Sequence, residues 1–220
     1  VPTTPRSAYA HFCMLARTLE RLGDRWALLV VRDLLTGPKR FTDLMDRLGG
    51  ITPRTLTQRL RDLESDGLVL VDRKPGRREV WYRLTPAGDD LAPALEELSL
   101  WGLRHLAAPP APGEATHPEH VLGGLRLVLD RARLDVGPAS WVFRTLDHDD
   151  HYTISGRDGR WTLDEVAAPH PDVELLGTRR DLADYFATSP AARTAGRPGV
   201  RLQGSDKEIG RFLGAIAAFP

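Results

Sequence analysis

Two helical repeats separated by only four residues constrain this chain more than any other feature. In FTDLMDRL, residues 41–48, Phe41, Leu44, Met45 and Leu48 share one helix face. In PRTLTQRLRDLES, residues 53–65, Leu56, Leu60 and Leu63 do the same. Between them, Gly49-Gly50 reads as a turn, Thr52 as an N-cap and Pro53 as the first helical residue. Gly67 is placed to close the second helix in the left-handed region. Two short amphipathic helices need a shared partner for their apolar faces. The chain offers one upstream, where residues 13–36 read as a single helix. There Trp26, Leu28, Leu29, Val30, Val31, Leu34 and Leu35 leave little polar face, and Gly37-Pro38 ends the run.

Downstream, Leu68 to Val71 and Val80 to Leu84 read as the strands of a β-hairpin. Its turn is cationic, with Arg73, Lys74, Arg77 and Arg78 around Pro75-Gly76. Thr85-Pro86 then caps a long helix reaching about His105. Three helices followed by a hairpin with a basic tip is the element order of a winged helix-turn-helix. The open face of the 52–66 helix carries Arg54, Thr55, Thr57, Gln58 and Arg61. These are the residue types that read base edges: Arg pairs bidentately with guanine, Gln with adenine, and Thr offers a methyl or a hydroxyl. A helix of this size fits a major groove, and the hairpin tip would add salt-sensitive phosphate contacts. Overall charge is silent, because 30 basic and 30 acidic residues cancel. Its distribution is not: residues 1–108 hold 17 basic and 14 acidic side chains, so the front half is cationic and the rest anionic.

The segments GDRWALLVVRDLL, GPKRFTDL, GITPRTLTQRLRDLE, DGLV and YRLTPAG together resemble the HxlR family of bacterial winged-helix transcription regulators. The resemblance covers roughly the first half of the chain. It implies a homodimer built from the N-terminal helix and the helix after the wing, and double-stranded DNA as partner. Two recognition helices would then address half-sites about one helical turn apart. Leu98 and Trp101 read either as dimer contacts or as intradomain core. Cys13 falls where many members keep a cysteine, some of them oxidant sensors, although the usual Cys-Pro is here Cys13-Met14. The thiol has two readings. At a helix start, with Arg17 one turn on, it can be a reactive sensor; beside Phe12, Met14 and Leu15 it can be a small buried hydrophobe.

Residues 108–118, rich in Pro, Ala and Gly, read as a linker between a domain at 1–107 and another at 119–220. The expected fold class is α+β: a winged helix-turn-helix followed by a small α+β domain. That domain is expected to run helix (119–134), three strands with a tight turn at Arg157-Asp158-Gly159, then strand, helix, strand and last helix. DVELLGTRRDLADYF, GVRLQGS and EIGRFLGAIAAF resemble the sterol carrier protein-like fold, in which a last helix covers an apolar tunnel. The resemblance implies a small apolar effector contacted by Phe186, Leu202, Ile209, Phe212, Leu213 and Ile216; taken alone, the same residues read as ordinary core.

Two His-x-x-His pairs, His117/His120 and His148/His151, have metal-ligand spacing but sit in a linker and a polar loop, so no metal and no other cofactor is expected. No nucleophile elbow, carboxylate pair or phosphate loop is present, and no enzyme activity is expected. No apolar run approaches the roughly 18–20 residues that span a bilayer. The N-terminus lacks a signal-peptide pattern, and one cysteine allows no intrachain disulfide, so the expected location is cytoplasmic. The rival readings are a regulator switched through Cys13 with a structural back domain, and a hydrophobe carrier whose winged helix contacts protein.

Overall fold

The computed structural model describes residues 9–10, 12–73, 79–106, 108–193, 197–217 and 219. The chain forms two compact units, Val1–Glu97 and Leu98–Pro220.

The first unit runs α1 (Met14–Leu22), α2 (Ala27–Leu35), β1 (Lys39–Arg40), α3 (Phe41–Leu48), α4 (Pro53–Ser65), β2 (Val69–Arg73), β3 (Val80–Leu84) and α5 (Pro86–Asp89). Its core joins Val30, Val31 and Leu34 of α2, Leu44 and Leu48 of α3, and Leu56, Leu60 and Leu63 of α4. The predicted start of α4 is observed: Thr52 Oγ1 accepts from the Thr55 N–H at 3.2 Å, with Pro53 in the first turn. Its end is a Schellman motif. The Leu68 N–H reaches the Leu63 carbonyl at 2.9 Å, the Gly67 N–H reaches the Glu64 carbonyl at 3.0 Å, and Gly67 sits at φ 72°.

Two expectations for this unit are corrected, and the hairpin, observed as expected, gains a strand. Residues 13–36 are two helices, because the chain turns at Gly23: its N–H closes on the Leu19 carbonyl at 2.7 Å, and the Asp24 carboxylate accepts from the Trp26 N–H to start α2. The wing sheet has three strands in the order β1-β3-β2, since Lys39 and Arg40 pair with Tyr82 and Trp81. The helix after the wing is broken into α5 and α6 (Ala92–Leu106). Pro93 has no N–H to continue an α-helical ladder through this point.

The division between units falls inside α6, not at 108–118. Leu95 packs on the first core, whereas Leu103 packs on the second. The proline-rich stretch belongs to the second unit as well. The Arg180 guanidinium donates to the carbonyls of Pro110 and Ala111, and the Ala111 N–H donates to Glu114 at 2.7 Å.

The second unit continues with α7 (Pro118–Arg131), β4 (Ala139–Thr145), β5 (His151–Arg157), β6 (Arg160–Asp164), β7 (Val173–Gly177), α8 (Arg179–Ala187), β8 (Arg201–Gly204) and α9 (Asp206–Ile216). The sheet order is β6-β5-β4-β7-β8, antiparallel except for the central β4–β7 pair. Alternation sends Trp141, Phe143, Ile154, Trp161, Val173 and Leu175 into a core shared with α7, α8 and α9. The opposite face carries Ser140, Ser155, Thr162 and Arg144, together with the buried Val142. The β5–β6 turn has two residues, Asp158 and Gly159, at φ 52° and 70°, the signature of a type I′ hairpin.

Candidate nucleic-acid interface

Burial of Leu56, Leu60 and Leu63 fixes which side of α4 faces out, so Arg54, Gln58 and Arg61 lie exposed at i, i+4 and i+7. Their environments differ. Arg54 makes no hydrogen bond or ion pair among the described residues. Gln58 Nε2 donates to Asp62 Oδ1 at 2.9 Å, a bond it must give up to reach a base. Thr57 Oγ1 donates to the Pro53 carbonyl at 2.8 Å, and the hydroxyls of Thr55 and Thr52 share a hydrogen bond of 2.8 Å. The two threonines are half-buried, which leaves their methyls as the readier contact. Arg59, on the same helix, is structural: it meets Asp62 at 3.1 Å and Asp24 at 3.6 Å.

The hairpin brings a second cation to this helix. Arg73 is the last described residue of β2 and pairs with Val80. Tyr82 of β3 registers both sides: burial raises its hydroxyl pKa, Arg73 lowers it, Glu64 raises it and Arg61 lowers it. Arg61 and Arg73 thus act on one group in the same direction, with Glu64 of α4 acting against them. Lys74, Arg77 and Arg78 lie outside the described residues. The sequence reading missed Arg40. Its guanidinium bridges to Glu79 at 3.2 Å and stacks on Trp81 at 4.6 Å, while its N–H is capped by Asp43 at 2.8 Å. The available signal was Asp43 three residues on, in the capping-box position.

Cys13 is the half-buried N-cap of α1, and its side chain makes no capping bond. Arg17, one turn on, lays its guanidinium over the Phe12 ring at 4.8 Å. Phe12, just ahead of α1, and Leu15 and Leu19 on it are exposed, as are Leu98 and Trp101 on α6. In the second unit, Phe186, Phe212 and Ile216 are fully buried and Leu202, Ile209 and Leu213 pack around them. Rings fill this core: Phe186 lies 6.0 Å from Phe143, and Phe212 lies 5.0 Å edge-on to Trp141. The His117 and His120 rings are 5.4 Å apart, but among the described residues no three His, Cys, Asp or Glu side chains are grouped to hold a metal. A buried pair absent from the sequence reading is Tyr152, whose hydroxyl donates to Glu119 Oε2 at 2.8 Å. Burial, then the Glu119 charge, pushes the Tyr152 hydroxyl pKa far up.

A leucine-anchored helix presenting arginines beside a three-stranded wing defines a winged helix-turn-helix. Residues 21–109 match the HxlR-like helix-turn-helix family. The chain is 39% identical over 93 residues to the uncharacterized HTH-type transcriptional regulator YkvN of Bacillus subtilis, covering 41% of this chain and 77% of that protein. It is 43% identical over 101 residues to the uncharacterized HTH-type transcriptional regulator Mb3122 of Mycobacterium bovis, over 44% of this chain. The match spans 62% of that mycobacterial relative's length. Among solved structures, the redox regulator HypR in its oxidized form shares 33% identity, covering 41% of this chain and 94% of HypR, with a TM-score of 0.40. The chain belongs to the HxlR-like helix-turn-helix family. No helix among the described residues is long and apolar enough to cross a membrane.

Proposed function

We propose that this chain is a dimeric transcription regulator that reads double-stranded DNA with α4 and the wing and responds to a small apolar effector in its second unit. The observation that carries the reading is Arg54: an exposed guanidinium without a protein partner among the described residues, on the outer face of a helix whose other face is anchored by three buried leucines. Arg61, exposed about two turns further along α4, lies on the same face. The dimer part rests on exposed apolar side chains of α1 and α6, which a second copy would remove from water. The effector part rests on the element order β7, α8, β8, α9, which follows the sterol carrier-like resemblance. No catalytic step is included.

The test is fluorescence anisotropy of the purified protein on duplexes tiled across its own upstream intergenic DNA, with scrambled duplexes as control and a salt series. The expected result is tight, sequence-dependent binding with a steep salt slope. Equal, weak binding to both duplexes refutes the DNA reading. In a thiol-switched version of the same regulator, Cys13→Ser would abolish an oxidant response of that binding.

A further inference from the structure

The outer face of the five-stranded sheet holds a groove that the DNA reading does not use. It is an open groove of about 600 Å³, lined by Ser140, Ser155, Thr162, Arg157, Arg160 and the carboxylates Asp158 and Asp172, among others. Strand register orders these side chains. Ser140 pairs with Ser155 and Ser155 with Thr162, so three hydroxyls form one row across β4, β5 and β6. At strand spacings of about 4.8 Å the row spans roughly 10 Å. Two residues along the same face, about 7 Å away, Arg157 and Arg160 stand directly paired across the Asp158-Gly159 turn. Beyond the row the face is closed where Thr153 Oγ1 donates to the Val166 carbonyl and accepts from the Ala168 N–H.

These groups are not satisfied by the protein. Among the described residues, neither Arg157 nor Arg160 makes a hydrogen bond or ion pair, and none of the three row hydroxyls makes a side-chain hydrogen bond. Asp172 is already engaged: its Oδ2 accepts from the Ser140 N–H at 2.8 Å and from Arg211 at 3.2 Å. Asp158, at the turn, pairs with neither arginine. Like charges directly opposite in a hairpin repel, so this arrangement costs stability until an anion sits between them. A monocarboxylate matches one guanidinium fork. A phosphate monoester, with about two negative charges and three oxygens, matches two. Hydroxyls that both donate and accept suit a ligand body that does the same.

We propose that this groove binds a phosphorylated, hydroxyl-bearing small molecule of the sugar phosphate class, with its phosphate on Arg157 and Arg160 and its hydroxyls along Ser140, Ser155 and Thr162. The site lies on the sheet face opposite the apolar core, so it stands whether or not the DNA reading does.

The experiment is isothermal titration of the full chain, at fixed ionic strength, with glucose 6-phosphate, glucose and inorganic phosphate. Glucose 6-phosphate is expected to bind saturably, one per chain, and more tightly than either of the others. Arg157→Ala/Arg160→Ala is expected to weaken it at least about tenfold, the loss of charge-assisted bonds. Ser155→Ala/Thr162→Val is expected to weaken glucose 6-phosphate and leave inorganic phosphate unchanged. All four positions face outward, and unchanged melting of the variants checks that they fold. The proposal is overturned by absent saturable binding of glucose 6-phosphate, by equal affinity in wild type and the arginine variant, or by inorganic phosphate binding as tightly as the sugar phosphate.

Discussion

Arg54 and Arg59 sit five residues apart on one helix, and the structure predicts opposite fates for their alanine variants. Arg54 has no protein partner among the described residues, so Arg54→Ala removes nothing from the folded state. If it reads a base, the loss is about 1–3 kcal/mol per recognition helix, or roughly five- to 150-fold in Kd. The salt slope then stays put, whereas a lost phosphate contact would lower it by about one unit. Arg59 is tied to Asp62 at 3.1 Å and to Asp24, ahead of α2, at 3.6 Å. Arg59→Ala should therefore cost up to about 1 kcal/mol of stability and shift binding less than Arg54→Ala does. Anisotropy on the preferred duplex and thermal melting, run side by side, give both numbers. A Kd for Arg54→Ala within twofold of wild type would refute the assignment of this face to DNA. So would a variant whose melting falls as far as its affinity.

Three further outcomes follow from the second unit. A Cβ on Gly156 would lie 2.6–2.8 Å from three ring atoms of Trp161, which is held by its indole N–H on the Leu134 carbonyl and by Trp141 at 4.8 Å. Gly156→Ala should cost about 1–3 kcal/mol by overpacking, read in denaturant melts of the full chain. Tyr152→Phe leaves buried Glu119 without the 2.8 Å bond from the phenol and should cost about 1–3 kcal/mol, seen as a lower melting temperature at pH 7. The hydrogen bond from Arg179, 2.7 Å from Asp150, holds that carboxyl below its ordinary pKa of 3.8. A lowered folded-state pKa gives stability that is present above the unfolded value and lost as pH falls through the folded one. The deficit of Arg179→Ala should thus be full above about pH 4 and shrink in more acid solution; a pH-independent deficit would contradict it.

Much of the first unit is legible because its signals are local. The Thr52-Pro53 start, the leucine spacing and Gly67 all lie within sixteen residues, and they fix α4 together with its open face. What escapes is set by partners elsewhere in the chain. Lys39–Arg40 is a strand only because β3 passes beside it. Arg59 and Arg61 are equally polar in the sequence, and Asp24, from another element, decides which one is tied. The break at Gly23 had a local signal in Gly23-Asp24, a glycine followed by an N-capping carboxylate, just as Pro93 was a visible signal for the break before α6. Glu119 and Tyr152 are 33 residues apart, and the hydroxyl row exists only once three strands are in register. The basic hairpin and the arginines of α4 were legible; their shared effect on Tyr82 was not.

The central β4–β7 pair also sets an order of assembly. β4, β5 and β6 are consecutive and antiparallel, so each can pair with its neighbour as soon as both have left the ribosome. β7 must first cross back to lie parallel to β4, with Trp141 opposite Val173, 32 positions further along the chain. Until it does, the inner edge of β4 offers unpaired backbone beside Trp141 and Phe143. Nascent chains of this protein therefore carry an unpaired strand edge beside two large aromatic side chains for the time it takes to synthesise β7. A slow ribosome, or a truncation before residue 173, should show itself first as aggregation and chaperone demand.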